Sequence, residues 1–286
     1  MSSSVAVSDA SHVPLSCRWK RWLAVVLACL VSVSLGSHQA AARTRPRAGA
    51  IVVPILMYHV IAAPFPDSPF PGLYVRPTEF AAQMQALVSD GYHAVTLDQV
   101  WNALRGTGSL PKRPIVISFD NGYRSQYTHA LPVLRRLGWV GDENLQLSGL
   151  PPREGGLSPI QIRGLIHAGW ELDTQGLSHV DLTRLGAIAL KRQVAVRSLI
   201  RRRYGVDAKW FCYPSGRYDA IVVAAVKAAG FVGATTVSPG WASRADDPYR
   251  LPRLRVLGGT DPSALLELIA GARNDPHPPP TYLPHA

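Results

Sequence analysis

From residue 51 onward, short β-forming runs alternate with segments of helical period that close on glycine. "IVVPILMYHVI" (51–61), "HAVTL" (93–97) and "RPIVISFD" (113–120) read as strands. Between or after them, "PTEFAAQMQALVSDG", "LDQVWNALRGTG" and "YRSQYTHALPVLRRLG" read as helices, the first with proline at its start. The pattern continues with "SPIQIRGLIHAG" as helix, "WELDT" as strand and "DLTRLGAIALKRQVAVRSLIRRRYG" as one long helix, then "KWFCYP", "YDAIVVAAVKAAG" and "FVGATTV". Such alternation predicts a parallel α/β architecture, whose functional groups sit at the C-terminal ends of the strands.

The N-terminal segment reads as something other than fold. Arg18, Lys20 and Arg21 precede the apolar run "WLAVVLACLVSVSLG", and "SHQAAA" supplies small residues for cleavage. That order predicts a secretory signal over 1–42 and a linker over 43–50, with an uncleaved anchor as the alternative. The run is shorter than the roughly 20 apolar residues that span a bilayer. Removing it leaves 244 of 286 residues, enough for a barrel domain over 51–272, and the Pro-rich end 273–286 reads as a disordered tail. Of three cysteines only Cys212 survives cleavage, which excludes an internal disulfide and a thiolate metal cage. The mature chain holds 27 basic and 18 acidic residues, a charge of +9 suited to anionic cell-wall polymers. The basic run Lys191 to Arg203 reads as the solvated face of a helix, and no aromatic-plus-basic motif points to nucleic acid.

Four strand ends carry candidate chemistry: Tyr58 and His59 in "PILMYHVI", Asp120 and Asn121 in "ISFDNGY", Gln175 and His179 in "TQGLSH", and Tyr213, Pro214, Gly216 and Arg217 in "YPSGRYD". Taken singly, each has a plain reading as a turn or a hydrogen-bonded structural residue.

Together, in this order, they resemble the polysaccharide deacetylases of carbohydrate esterase family four (the NodB-homology domain), over about residues 51–272. The resemblance implies a distorted (β/α) barrel of a single domain that removes N-acetyl groups from amino-sugar polymers. It implies a divalent metal, usually zinc, held by an Asp and two His, with another Asp as general base and a late His as acid. Carried over, Asp120 takes the base position and His179 that of the second His ligand. Asn121 stands at the metal-binding Asp, Gln175 at the first His and Gly176 at the Thr between the histidines. Cys212 stands where the family has an Arg. Tyr213, Pro214, Gly216 and Arg217, with Trp210 nearby, fall at substrate-binding positions. Beyond His179 only His277 and His285 remain, both in the tail, so His59 is a stand-in for the late acid on location alone.

Amides at two ligand positions bear on the chemistry. An amide oxygen is neutral and an amide nitrogen has no free lone pair, so one His with two amides makes a poor zinc cage. Bound zinc lowers the pKa of water from about 15.7 to about 7, and a general base alone contributes only about 10²- to 10⁴-fold. The sequence therefore predicts an exported protein that acts on or binds N-acetylated polysaccharide, with deacetylation weak or lost. The alternative is a non-catalytic glycan-binding protein of the wall or biofilm matrix.

Overall fold

The computed structural model describes residues 51–150, 155–274 and 281–283. The leader, the linker and both tail histidines lie outside them. Along the chain the elements are β1 Val52–Tyr58, α1 Pro77–Ser89, β2 His93–Ala94, α2 Leu97–Leu104, β3 Pro114–Asn121, α3 Leu131–Arg136 and β4 Asp142–Leu145. Then follow α4 Pro159–His167, β5 Glu171–Thr174, α5 Ala187–Val194, α6 Arg197–Tyr204, β6 Trp210–Cys212, α7 Ala220–Ala228, β7 Gly233–Thr235, β8 Trp241–Ser243, β9 Leu254–Arg255 and α8 Pro262–Gly271.

The strands form one sheet in the order β7-β6-β5-β4-β3-β1-β8, with β2 beside β3 and β9 beside β1. Every pairing is parallel except β1 with β8. A parallel bridge of Thr235 to Leu251 carries the chain from beside β7 to β9, curling the sheet towards closure. This is the curled barrel of a single domain that the alternation and the resemblance predict.

Side-chain alternation along each strand sets what faces the interior. On β3, Ile115, Ile117 and Phe119 join the core shared with Tyr58, Phe80 and Leu265, while Val116 packs with Val53, Ile55 and Trp210. Ser118 and Asp120 share the parity of Val116, so the period of two carries Asp120 into the barrel at the strand's C-terminal end.

Three local expectations differ. "HAVTL" is strand only at His93–Ala94, because Thr96 caps α2, accepting from the Gln99 amide while Gln99 bonds back. The long helix after residue 180 is two helices separated at Ala195 and Val196. The Gln193 carbonyl, which a continuous helix would pair with the amide of residue 197, instead accepts from Leu177 N at 2.9 Å. The helices still turn Lys191, Arg192 and Arg201 to Arg203 outwards. Finally, the tail is ordered at 281–283: Tyr218 and Tyr282 exchange backbone hydrogen bonds of 3.1 and 3.0 Å as an antiparallel bridge. Among the described residues no helix is long and apolar enough to cross a membrane.

Candidate functional site

A cavity of about 580 Å³ opens at the C-terminal ends of the strands. His59, Asp120, Asn121, Gln175, His179 and Tyr213, drawn from four separate motifs, all line it. Asn121 and Gly122 at the end of β3 both have left-handed φ, +79° and +88°. Asn tolerates that region better than most residues, and at Gly122 a Cβ would stand 2.6 Å from Leu145 Cδ1. The sharp exit leads into a wide turn, Gln126–Ala130. There Gln126 Nε2 donates to the carbonyls of both His59 (2.9 Å) and Asp120 (2.8 Å), clamping the ends of β1 and β3.

Asp120 is buried and fully engaged. Arg253 donates to it twice, Nη1 to Oδ1 at 2.7 Å and Nη2 to Oδ2 at 2.9 Å, and Asn144 Nδ2 donates to Oδ1 at 2.9 Å. Arg253 is itself buried and spends its other donors on Thr236 O, Ser118 Oγ and Cys212 Sγ. Burial alone would raise the Asp120 pKa, but the charge and hydrogen bonds of Arg253 overcome it and hold it at about 2. His59 Nε2 lies 3.9 Å from Asp120 Oδ2. Burial brings His59 down to about 4 against the pull of Asp120, with Arg253 and Arg255 adding to burial.

Arg253 corrects the expectation drawn from Cys212. The resemblance places an arginine at 212; here the guanidinium comes from the far end of the chain and Cys212 supplies a thiol to the same cluster. Gln175 Nε2 donates to that sulfur at 3.3 Å, and burial pushes the thiol pKa up to about 12. A sequence signal existed: in "LPRLRVLG" Leu254 and Val256 enter the core, which leaves Arg253 and Arg255 on the opposite strand face.

Not every residue of the sequence reading reaches the cavity. Trp210 does not: it is a fully buried core residue, edge-on to Trp101, with its indole N–H on Asp98 Oδ1 at 3.1 Å. It shares an interior face with Cys212 but sits one pleat nearer the closed end. Pro214 is buried beneath the loop whose Ser215 and Gly216 line the cavity, and Arg217 pairs with Asp181 at 2.6 Å. Residues that the sequence reading passed over do line it, among them exposed Phe70, Arg255, Tyr123, Gln146 and Tyr282 of the tail.

The donor set fits zinc poorly. Two of the three ligand positions present amides, the Gln175 amide nitrogen is committed to Cys212, and both oxygens of Asp120 are committed to Arg253. Among the described residues no three His, Cys, Asp or Glu side chains cluster as a metal cage.

A curled, largely parallel α/β barrel with a cleft at its strand ends, centred on a buried carboxylate, is the architecture that the resemblance predicts. The family model for polysaccharide deacetylase matches residues 107–234, and that stretch belongs to the family. The Bacillus subtilis protein YxkH, named for polysaccharide deacetylase activity, is 27% identical over 213 residues, 74% of each chain. The Escherichia coli (strain K12) poly-beta-1,6-N-acetyl-D-glucosamine N-deacetylase is 37% identical over 65 residues, which span 23% of this chain and 10% of that one. Among solved structures, the Streptococcus pyogenes deacetylase PplD in complex with acetate superposes with a TM-score of 0.70 at 24% identity. It covers 77% of this chain and 98% of that one, a likeness of fold.

Proposed function

We propose that this chain is an exported member of its family that binds N-acetylated amino-sugar polymers in the strand-end cavity, with metal-dependent deacetylation weak or lost. The observation that carries this reading is the Asp120–Arg253 pair beside amides at two ligand positions. A carboxylate held near pKa 2 is a feeble proton acceptor at neutral pH, and one imidazole with two amides leaves most of a zinc ion to water. The cavity keeps what a sugar needs: amide partners at Asn121, Gln146 and Gln175, the last two with side-chain oxygens that no described group engages, and apolar walls. The relative active on poly-N-acetylglucosamine supports that polymer class, and the N-terminal leader supports export.

The test is elemental analysis after zinc exposure, alongside calorimetric titration with N-acetylglucosamine oligosaccharides and an assay of released amine. The expected result is substoichiometric zinc, saturable oligosaccharide binding and little or no amine. One tight zinc per chain, with amine release abolished by Asp120→Asn, would overturn the reading in favour of a working deacetylase.

A further inference from the structure

The charges around the cavity run opposite to those of a cation site. A site that holds a divalent metal offers it lone pairs from imidazole, carboxylate or thiolate groups; among the described residues the only carboxylate lining the cavity is Asp120, and Arg253 engages both its oxygens. The other ionisable groups of the lining are His59, His179, three tyrosines and Arg255. The histidines add no negative charge in either protonation state, and burial pushes the Tyr213 hydroxyl well up, which keeps it neutral.

Arg255 lines the same cavity from β9, paired in register with Met57 of β1, which also lines it. It is exposed, and no carboxylate pairs with it among the described residues. Its charge reaches the centre of the site, since it is among the charges that act on His59. By contrast Arg217, Arg250 and Arg197 nearby in sequence or space are each matched by an aspartate. The cavity therefore carries one uncompensated positive charge on a side chain free to reorient, on a fork that matches carboxylate or phosphate oxygens in pairs.

Resting on the glycan-binding reading, we propose that the cavity selects an N-acetylated amino-sugar polymer bearing an anionic substituent, with Arg255 as the group that recognises it. The substituent is a carboxylate or a phosphate on the sugar, and a neutral polymer of the same length is the poorer ligand. The loss of metal ligands and the retention of the arginines then belong together. A positive site repels a divalent cation and draws an anion, and both effects follow Coulomb's law.

The test is calorimetric titration of the full chain and its Arg255→Gln and Arg255→Lys variants. Three tetrasaccharides of equal length serve as probes: neutral N-acetylglucosamine, alternating N-acetylglucosamine and N-acetylmuramic acid, and a 6-phosphorylated N-acetylglucosamine. The wild type should bind at least one anionic probe about tenfold more tightly than the neutral one in low salt. That ratio should shrink in 0.5 M NaCl, fall to near one in Arg255→Gln and survive in part in Arg255→Lys. The carboxylate and phosphate arms show which anion is preferred. Because Arg255 is exposed, Arg255→Gln should keep the parent's melting temperature, so a lost preference is read from the ratio of affinities and not from folding. Equal wild-type affinity for all three, or an undiminished ratio in Arg255→Gln, overturns the anion assignment and leaves glycan binding standing. No binding of any probe removes both.

Discussion

The two ends of the barrel treat buried acid differently. At the open end Asp120 faces Arg253 and is held ionised, with a pKa near 2, while its neighbour Glu143, with no cation beside it among the described residues, is pushed well up by burial and then by Asp120. At the closed end Asp98, Asp142, Glu171 and Asp173 crowd together, with Lys209 on Asp98 as the one basic partner among the described residues. There burial, then mutual repulsion, pushes Asp142 and Asp173 well up and brings Glu171 to about 7. Each of these acids accepts from a backbone or indole N–H: Asp142 from Leu97 N, Glu171 from Asp98 N, Asp173 from Lys209 N and Trp210 N, and Asp98 from the Trp210 indole. They stitch loops to strands. A group kept charged is available to a ligand's field, whereas acids that resist ionisation serve as architecture.

The sharpest way to break this contrast is Arg253→Met, which leaves Asp120 buried without its partner. A loss of about 3–5 kcal/mol in denaturant unfolding is expected, and adding Asp120→Asn should return part of it. An effect below about 1 kcal/mol would mean that Asp120 is not held by charge.

Acidity probes the other end. Glu171 has a folded-state pKa above its ordinary 4.5, so the fold binds more protons than the unfolded chain between about 4.5 and about 7. Stability contributed there is present below that window and lost as pH rises through it. Asp120, depressed from 3.8, works the other way: its contribution is present above 3.8 and lost as pH falls through about 2. His59, lowered to about 4, gains stability as pH rises towards 6.5, so the acids are read by difference. A melting series from pH 5 to pH 8 should show the parent losing roughly 5 °C more than Glu171→Gln, a gap about halved in the Asp173→Asn background. Equal profiles in the parent and Glu171→Gln count against shared repulsion among these acids.

Smaller in energy is the rebuilding of a cation site at the open end. Asn121→Asp with Gln175→His should bind zinc at least about tenfold more tightly than the parent, and each single change should recover little. Equal zinc affinity across all four proteins, folded by circular dichroism, would mean these positions do not converge on one ion. The smallest effect is expected at the tail. Tyr282→Ala should cost under about 1 kcal/mol of stability and weaken oligosaccharide binding about two- to fivefold, as loss of one aromatic wall would. Unchanged affinity would make Tyr282 a bystander.

Strands and helices were legible because hydrophobic period is a local property; β3, β5, α4 and α7 fall within two residues of where "RPIVISFD", "WELDT", "SPIQIRGLIHAG" and "YDAIVVAAVKAAG" place them. The break between α5 and α6 was not, since it depends on Leu177 claiming a carbonyl that no helical propensity marks as contested. The same distinction holds at the site. Asp120, Gln175 and His179 stand at strand ends in sequence and meet in space, but Arg253 lies 133 residues from Asp120, and only the alternation of "RLRV" hints that it faces inwards. Trp210 was misplaced because nearness in sequence to Tyr213 says nothing of depth along the barrel. Tyr282 was missed because a Pro-rich composition describes a segment's average and not the one residue that finds a strand edge.

The contact between the Gly176 loop and the broken helix has a further consequence, for which substitutions remain open to this lineage. Gly176 has φ +89°, and a Cβ there would stand 2.8 Å from the Gln193 carbonyl oxygen. The threonine of the family pattern therefore cannot be reinstated at this position while α5 ends where it does. Restoring the whole family motif, threonine included, needs the end of α5 to move, some 17 residues away in the chain. The route back is longer than two point mutations suggest, and the order in which its steps are taken decides whether each intermediate folds.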